Sequence, residues 1–380
     1  MTLKTRLTIL LLLVFLFLVV TPYLVLYSLG YRIDFKNQKI VATGGIYVRV
    51  QPSTANITID NKINDATGVF SNSIFVQNLL PGEHSVSIKK DGYHDYQKNL
   101  LVKEKAVTKL ENVILFGKNI PFEILDSTTQ FSLLKQKPIE RFIILNNNLY
   151  YFDNAPENVQ LTALQRNTPI IKNVLAFKSS GNNIIWLGLD GFLKSFNINT
   201  STTENISEVA LKTNTKRAYE LEIFSQNIFL KEGSNLLLFN QETKSFENFY
   251  SPVKDLKISS DGQKIIYFND NAIFIYYLNK NLPTNGEGQN KILLQKSVGK
   301  ITDLYWLNND YIIFNSGNKI NISEIDTRGN INTLSLAESI SLPEGKSIKI
   351  EKPEIFFEKQ NRNLYILAQN QLIYSDRILP

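Results

Sequence analysis

Leu256–Phe268 reads LKISSDGQKIIYF, and this stretch decides the fold. Leu256 and Ile258 make one short apolar run, and Ile265 to Phe268 make another. Between them Asp261-Gly262 supplies a tight turn, so the segment reads as two strands folded back on each other. The stretch continues to Lys280, and five others repeat its plan. They are RFIILNNNLYYFDN from Arg141, VLAFKSSGNNIIWLGLDGFLKSFNINT from Val174, EIFSQNIFLKEGSNLLLFNQETKSF from Glu222, ITDLYWLNNDYIIFNSGNKINISEID from Ile301 and EIFFEKQNRNLYILAQNQLIYSD from Glu354. Each sets an apolar strand before a turn rich in Asn, Asp or Gly, then adds a second and usually a third strand.

The repeats recur about every 40–50 residues, the interval of a propeller blade. No stretch here holds a helical period over ten residues. One such meander cannot bury its inner face alone, whereas radial stacking buries each sheet between two neighbours. Residues 118–380 are therefore predicted to form a β-propeller of about six blades, with five or seven as variants. A pair of β-sandwiches or a β-solenoid is the alternative. Residues 256–268 also resemble the Ser-Pro-Asp-Gly hairpins of periplasmic propeller repeats, with Ser260 in place of the proline.

Upstream, residues 44–117 alternate with period two. Ile46, Val48 and Val50 alternate with Tyr47 and Arg49, and Ile57 and Ile59 alternate with Thr58 and Asp60. Ile74, Val76, Val86, Ile88, Leu101, Val107, Leu110, Val113 and Leu115 continue the pattern. Pro52-Ser53, Asp60-Asn61, Asp65 to Gly68, Pro81-Gly82 and Asp91-Gly92 punctuate it. The expectation is a small antiparallel β-sandwich.

GGIYVRVQPSTANITIDNK and LLPGEHSVSIKKDGYHDY, the two quoted halves of this region, resemble the PEGA domain family. Pro52 and Ala55 stand at the ends of the naming tetrapeptide, while Ser53 and Thr54 depart from its middle. Pro81, Gly82, His84, Gly92 and Tyr93 match, and Asp60-Asn61 replaces the usual Asp-Gly. LGYRIDFKNQKIVATGG resembles the lead-in of membrane-anchored members. The resemblance implies a non-catalytic module of bacterial and archaeal envelope proteins, and an extracytoplasmic location.

His84 and His94 are the chain's two histidines. A zinc pair would need a third ligand, with Asp91, Asp95 and Glu83 nearby, but the spacing matches no known site. His84 is expected to pack at the sheet edge or bond locally. Lys98, Lys103, Lys105 and Lys109 are interleaved with Glu104 and Glu111, and read as a solvated edge that resists unwanted pairing.

Residues 7–29, LTILLLLVFLFLVVTPYLVLYSL, carry no charge. About 23 residues at ~1.5 Å each span ~34 Å, enough to cross a hydrocarbon core of ~30 Å. Tyr23, Tyr27 and Tyr31 fall toward the far end, where amphipathic rings favour the interface. No small-residue cleavage signal follows, so a retained anchor is expected and a cleaved signal peptide is the alternative. Lys4 and Arg6 precede the span and Arg32, Lys36 and Lys39 follow it, so charge bias leaves orientation open. The organisation is then anchor and tail 1–30, lead-in 31–43, sandwich 44–117 and propeller-like part 118–380.

The chain has no cysteine, which excludes disulfides, thiolate metal sites and a cysteine nucleophile. A net charge of +6 accompanies abundant Asn, Lys and Ile without any long basic run, so no nucleic-acid partner is expected. No phosphate-binding or nucleophile-elbow motif occurs. GLDGF at 188–192 and EGSNLLL at 232–238 read as hairpin turns, and Asp190, Asp261 and Asp303 as turn or strand-entry residues. Trp186 and Trp306 are expected to be buried, the alternative being exposed sugar-stacking platforms. No catalytic, cofactor-binding or metal residue is assigned, and no cofactor.

The function expected is a non-enzymatic, single-pass cell-membrane protein with a cytoplasmic N-terminus and an extracytoplasmic bulk. It would bind or scaffold at the bacterial cell surface, presenting propeller loops to wall polymers, surface polymers or envelope proteins. The alternatives are a propeller-based envelope hydrolase of glycosidase or peptidase type, and an envelope sensor or assembly factor.

Overall fold

The computed structural model describes residues 3–35, 37–68, 71–125, 129–135, 142–151, 169–278, 290–336, 339–341, 347–375 and 377–379. Lys36, Arg141 and residues 152–154 of the first repeat, residues 279–280 of the fourth and Asp376 of the sixth lie outside the described residues.

Leu3–Ser28 forms helix α1. From Leu7 to Val25 its Leu, Val and Phe side chains are exposed, and its last turn meets Arg32, whose guanidinium lies over the Tyr27 ring. By length and composition the helix is a candidate membrane span or signal sequence. A hairpin follows directly, Tyr31–Asp34 (β1) pairing antiparallel with Lys39–Ala42 (β2).

The period-two region makes seven strands. They are Gly44–Gln51 (β3), Asn56–Ile59 (β4), Ile63–Ala66 (β5), Ser73–Leu79 (β6), Gly82–Lys89 (β7), Tyr96–Val102 (β8) and Val107–Ile114 (β9). They form two sheets, β6-β3-β9 and β5-β4-β7-β8. Ile46, Val48 and Val50 of the first sheet share one core with Ile57, Ile59, Val86 and Ile88 of the second. Each such side chain contributes roughly 1.5–3 kcal/mol on burial, so the alternating positions hold the two sheets together. The sequence suggests wholly antiparallel pairing, but β3 runs parallel to β9. The chain crosses to the other sheet through β7 and β8 before returning, and so enters beside β3 in the same direction. At Asp60-Asn61 both residues take positive φ, 52° and 56°. That geometry is open to Asp and Asn as well as to glycine.

Phe122–Leu125 (β10) and the short helix Thr129–Lys135 (α2) come next; the helix was not foreseen. It is held down by Lys135, whose ammonium bonds Asp303 at 3.0 Å and Glu354 at 3.1 Å. Phe142–Leu145 (β11), Asn148–Tyr151 (β12) and Ile171–Lys172 (β13) form a three-stranded sheet. A four-stranded meander of Val174–Ser180 (β14), Asn183–Gly188 (β15), Leu193–Asn197 (β16) and Thr202–Asn205 (β17) succeeds it. The next contains Tyr219–Phe224 (β18), Asn227–Glu232 (β19), Asn235–Asn240 (β20) and Ser245–Tyr250 (β21). Then come Asp255–Ile258 (β22), Lys264–Phe268 (β23), Ala272–Tyr277 (β24) and Lys291–Lys296 (β25). Leu304–Trp306 (β26), Tyr311–Ser316 (β27), Lys319–Glu324 (β28) and Thr333–Ser335 (β29) make the fourth of these meanders. A hairpin of Ser339–Ser341 (β30) and Ser347–Lys349 (β31) precedes the last strands, Glu354–Glu358 (β32), Asn363–Ala368 (β33) and Gln371–Ser375 (β34).

Strand β10 completes that last sheet by pairing antiparallel with β34, so the chain's later residues clasp its earlier ones. First strands of successive meanders lie against each other: β14 on β18, β22 on β26 and β26 on β32. The protein is thus mostly β, and this part is propeller-like. Apolar side chains fill the spaces between neighbouring sheets, as where Phe229, Phe249, Tyr267 and Tyr276 pack edge to face between β18–β21 and β22–β25. Trp186 and Trp306 are both buried, Trp306 donating to the Lys257 carbonyl at 2.9 Å. They are packing residues, as their apolar neighbours suggested.

Candidate functional site

Two charged side chains occupy core-facing positions where alternation calls for apolar ones. In β8 the inward set is Tyr96, Lys98, Leu100 and Val102. In β28, Ile320 and Ile322 are followed two residues later by Glu324. The Lys98 side chain is 0% exposed and that of Glu324 4%, and they form an ion pair of 2.6 Å between the first β unit and the propeller-like part. Lys98 is therefore no member of a solvated edge. The sequence did hold a signal, because both charges sit in phase with apolar neighbours and have opposite signs.

Such a pair persists only if its remaining hydrogen-bonding capacity is met. Here it is. Lys98 Nζ donates to Glu324 Oε1 at 2.6 Å, to the Asp326 carbonyl at 2.8 Å and to the Asn330 carbonyl at 2.9 Å, using all three ammonium protons. Glu324 Oε1 also accepts from the Asn332 backbone and side-chain nitrogens, both at 2.8 Å. Glu324 Oε2 accepts from the Tyr96 hydroxyl at 2.7 Å. Burial beside that carboxylate pushes the Tyr96 phenol well up.

Outside this pair, the loop after Glu324 covers the edge of β8. Asn330 Oδ1 accepts from the Asn99 nitrogen at 3.0 Å, and Asn330 Nδ2 donates to the Gln97 carbonyl at 2.7 Å. One side-chain amide thus pairs an edge strand that would otherwise present open backbone groups. Gly329 makes the close approach possible. Its φ is +59°, and a Cβ there would fall 2.2 Å from the Asn99 carbonyl oxygen. On the other side of the joint, Tyr311 Oη accepts from the Ile114 nitrogen of β9 at 3.1 Å.

A cleft of about 360 Å³ opens beside the joint. Residues Lys109–Val113 form one wall, and Lys264, Tyr277, Asp310, Tyr311, Asp326 and Arg328 form the other. Most charges in it are spoken for. Arg328 grips Asp326 at 2.7 Å, and Lys264 grips Asp261 at 2.7 Å. Burial works to raise the Asp326 carboxyl, but Arg328 and then Lys98 hold it below the usual range. Asp310 goes the other way: burial, with Asp261 and Asp326 adding to it, raises its carboxyl against Lys264 and an Asn112 hydrogen bond. Burial also pushes Tyr277 up to about 12.

A carboxylate raised by folding carries a definite sign. The folded state holds the Asp310 proton more tightly than the unfolded chain does. Its contribution to stability is therefore complete at low pH and declines as pH rises through the raised value. Asp310→Asn is expected to be more stable than the parent at pH 7 and equal to it near pH 3, with urea midpoints at the two values as the check. The chemistry available is that of one carboxylate not committed to an ion pair.

The sequence candidates fall elsewhere. His84 Nδ1 lies 2.6 Å from Asp60 Oδ2 and Nε2 lies 2.7 Å from the Leu80 carbonyl, so the ring bonds locally. His84→Ala should cost ~1–3 kcal/mol in thermal unfolding, because Asp60 and that carbonyl lose a shared partner. His94 lines a separate hollow of about 150 Å³ with Phe116, Tyr311 and Thr333, and burial lowers its ring. Among the described residues no group of three or more His, Asp or Glu is placed to hold a metal ion. Asp190 and Asp261 accept from the Phe192 and Gln263 nitrogens in their own turns, whereas Asp303, just before β26, accepts from the Ile355 nitrogen of β32 at 3.3 Å. Gly191 and Gly233 take positive φ in the turns that GLDGF and EGSNLLL foretold.

Residues 43–114 match the family model described as PEGA domain. No curated protein matches the chain. Solved structures similar to it include the β-propeller domain of Cps50 (Swd1) from Myceliophteria thermophila, 11% identical, covering 52% of this chain and 68% of that one with a TM-score of 0.30. Kluyveromyces lactis Hsv2p is 10% identical over 78% of this chain and 71% of its own, with a TM-score of 0.36. A second Kluyveromyces lactis Hsv2 structure, described by its complete loop 6CD, is 12% identical over 52% and 59%, also at 0.36.

Proposed function

We propose that this chain is a non-catalytic, single-pass protein of the bacterial cell envelope that binds or scaffolds at the cell surface. The N-terminus lies in the cytoplasm, α1 crosses the cell membrane, and everything after it stands outside. Residues 44–117 form a sandwich, residues 118–380 a six-bladed propeller, and the two act as one rigid platform for wall polymers, surface polymers or envelope proteins. The observation that carries this reading is the buried Lys98–Glu324 pair with its full set of hydrogen bonds. A joint of that kind holds a recognition surface at a fixed attitude to the anchor, and the cleft and propeller loops provide that surface. The commitment of Asp326 to Arg328 and of Glu324 to Lys98 weighs against a hydrolase.

Two measurements test it. Protease added to intact cells should digest the chain beyond α1, and the detergent-solubilised protein should co-sediment with isolated cell walls or be photo-crosslinked through Lys109 to envelope proteins in intact cells. Protection of the bulk, or failure of both capture experiments, contradicts the proposal. Hydrolysis of wall glycan or peptide by the purified protein, abolished in Asp310→Asn, would establish the hydrolase reading in its place.

A further inference from the structure

The bend end of the hairpin that follows α1 presents exposed apolar side chains on one face. Ile33 and Ile40 are register partners and so share one face of the β1–β2 ribbon, and both are exposed. Phe35, at its bend, is 84% exposed. The opposite face is the protein side, where Asp34 and Val41 are buried. An isolated surface Ile needs no explanation, but two paired isoleucines and an extended Phe on a four-residue ribbon form a patch.

This patch continues the surface of the helix itself. Leu29, the last apolar residue of the span, is also exposed. The hairpin cannot swing away from it. Gly30 takes a φ of +80°, and its carbonyl accepts from both the nitrogen and the hydroxyl of Thr43, at 2.9 and 2.7 Å, which ties the far end of the hairpin to the helix terminus. Arg32 folds back onto the last helical turn, donating to the Tyr27 carbonyl at 2.8 Å with its guanidinium 3.5 Å from the Tyr27 ring centroid. Its other nitrogen reaches Asn78 of β6 at 3.0 Å, so helix end, hairpin and first β unit are fixed together.

Length and charge say what covers the face. The apolar span of ~34 Å exceeds a hydrocarbon core of ~30 Å, so Leu29 reaches the headgroup layer and the clamped ribbon starts inside it. Arg32 and Lys39 stand on the ribbon's other face, next to the patch, and Lys105 sits over the Tyr31 ring, on the patch's own face, at 5.5 Å. Aromatic and aliphatic side chains edged by cations are the composition that settles at a lipid interface. We propose that the β1–β2 hairpin lies in the headgroup layer with Ile33, Phe35 and Ile40 against lipid, and that it sets the tilt of the whole outer body. The inference rests on α1 being a membrane anchor.

The chain has no cysteine, so single thiols can carry an environment-sensitive nitrobenzoxadiazole label. Full-length Phe35→Cys, Leu18→Cys and Lys62→Cys proteins would be reconstituted in phosphatidylcholine–phosphatidylglycerol vesicles with lipids spin-labelled at the headgroup or deep in the acyl chain. Expected are quenching of the Phe35 label by headgroup quencher, of the Leu18 label by deep quencher, and of the Lys62 label by neither. A Phe35 label that behaves like Lys62 while Leu18 is quenched would overturn the hairpin proposal and leave the anchor standing. A Phe35 label that is blue-shifted yet unquenched by lipid also overturns it, because protein would then cover the face. An unquenched Leu18 label would bring down the anchor reading and this inference together.

Discussion

Ile373→Pro is expected to unfold the propeller-like part from both of its ends. Ile373 is fully buried and pairs with Ile124 of β10 on one side and Ile366 of β33 on the other. It therefore sits in the strand that joins the earliest meander residues to the latest. Proline takes a donor out of a central ladder, where sheets essentially do not hold it, and the loss of a buried Ile adds ~2 kcal/mol or more. Against a total stability of ~5–15 kcal/mol this is decisive. Limited proteolysis should cut near Phe122 as well as near the C-terminus, although the two lie far apart in sequence. The same substitution at Thr203, on the exposed outer strand β17 with its N–H turned away from β16, should be tolerated. Equal sensitivity at both positions would show that β10 and β34 do not close a ring.

The second large effect belongs to the joint. Lys98→Met leaves the Glu324 carboxylate buried beside Tyr96 without its cation, and Glu324→Met does the converse to Lys98. Each should cost ~3–5 kcal/mol in urea unfolding. The double substitution Lys98→Met with Glu324→Met should cost much less than the sum of the singles, because no unpaired charge then remains. Additive losses would mean that the two groups do not stabilise each other. Gly329→Val gives an independent reading of the same joint: its side chain meets the Asn99 carbonyl and its backbone cannot hold φ +59°, so the covering loop must lift from β8.

Much of this architecture is legible in residue order because burial imposes a period. Ile46, Val48 and Val50 announce a strand with one face inward, and the structure buries all three. Six turn-punctuated repeats announce stacked meanders because none could bury its own face. Three features escaped. The parallel pairing of β3 with β9 depends on the path between them, which alternation does not record. Helix α2 has seven residues, too few for a helical period to show, and is held by Lys135 reaching Asp303 and Glu354, far along the chain. The joint was missed because Lys98 reads as an ordinary surface lysine until its partner, 226 residues away, is known. The local clue was phase: a charge two residues from an inward Tyr and two from an inward Leu.

That joint holds the two β parts as one body. Because the chain lacks cysteine, spin labels at Glu83→Cys in the first β unit and Thr203→Cys in β17 would be unique. Pulsed electron paramagnetic resonance on the full chain in vesicles would then read the distance between them. A single narrow distribution that broadens in Lys98→Met is expected. A broad or multimodal distribution in the unaltered joint, unchanged by Lys98→Met, would contradict it.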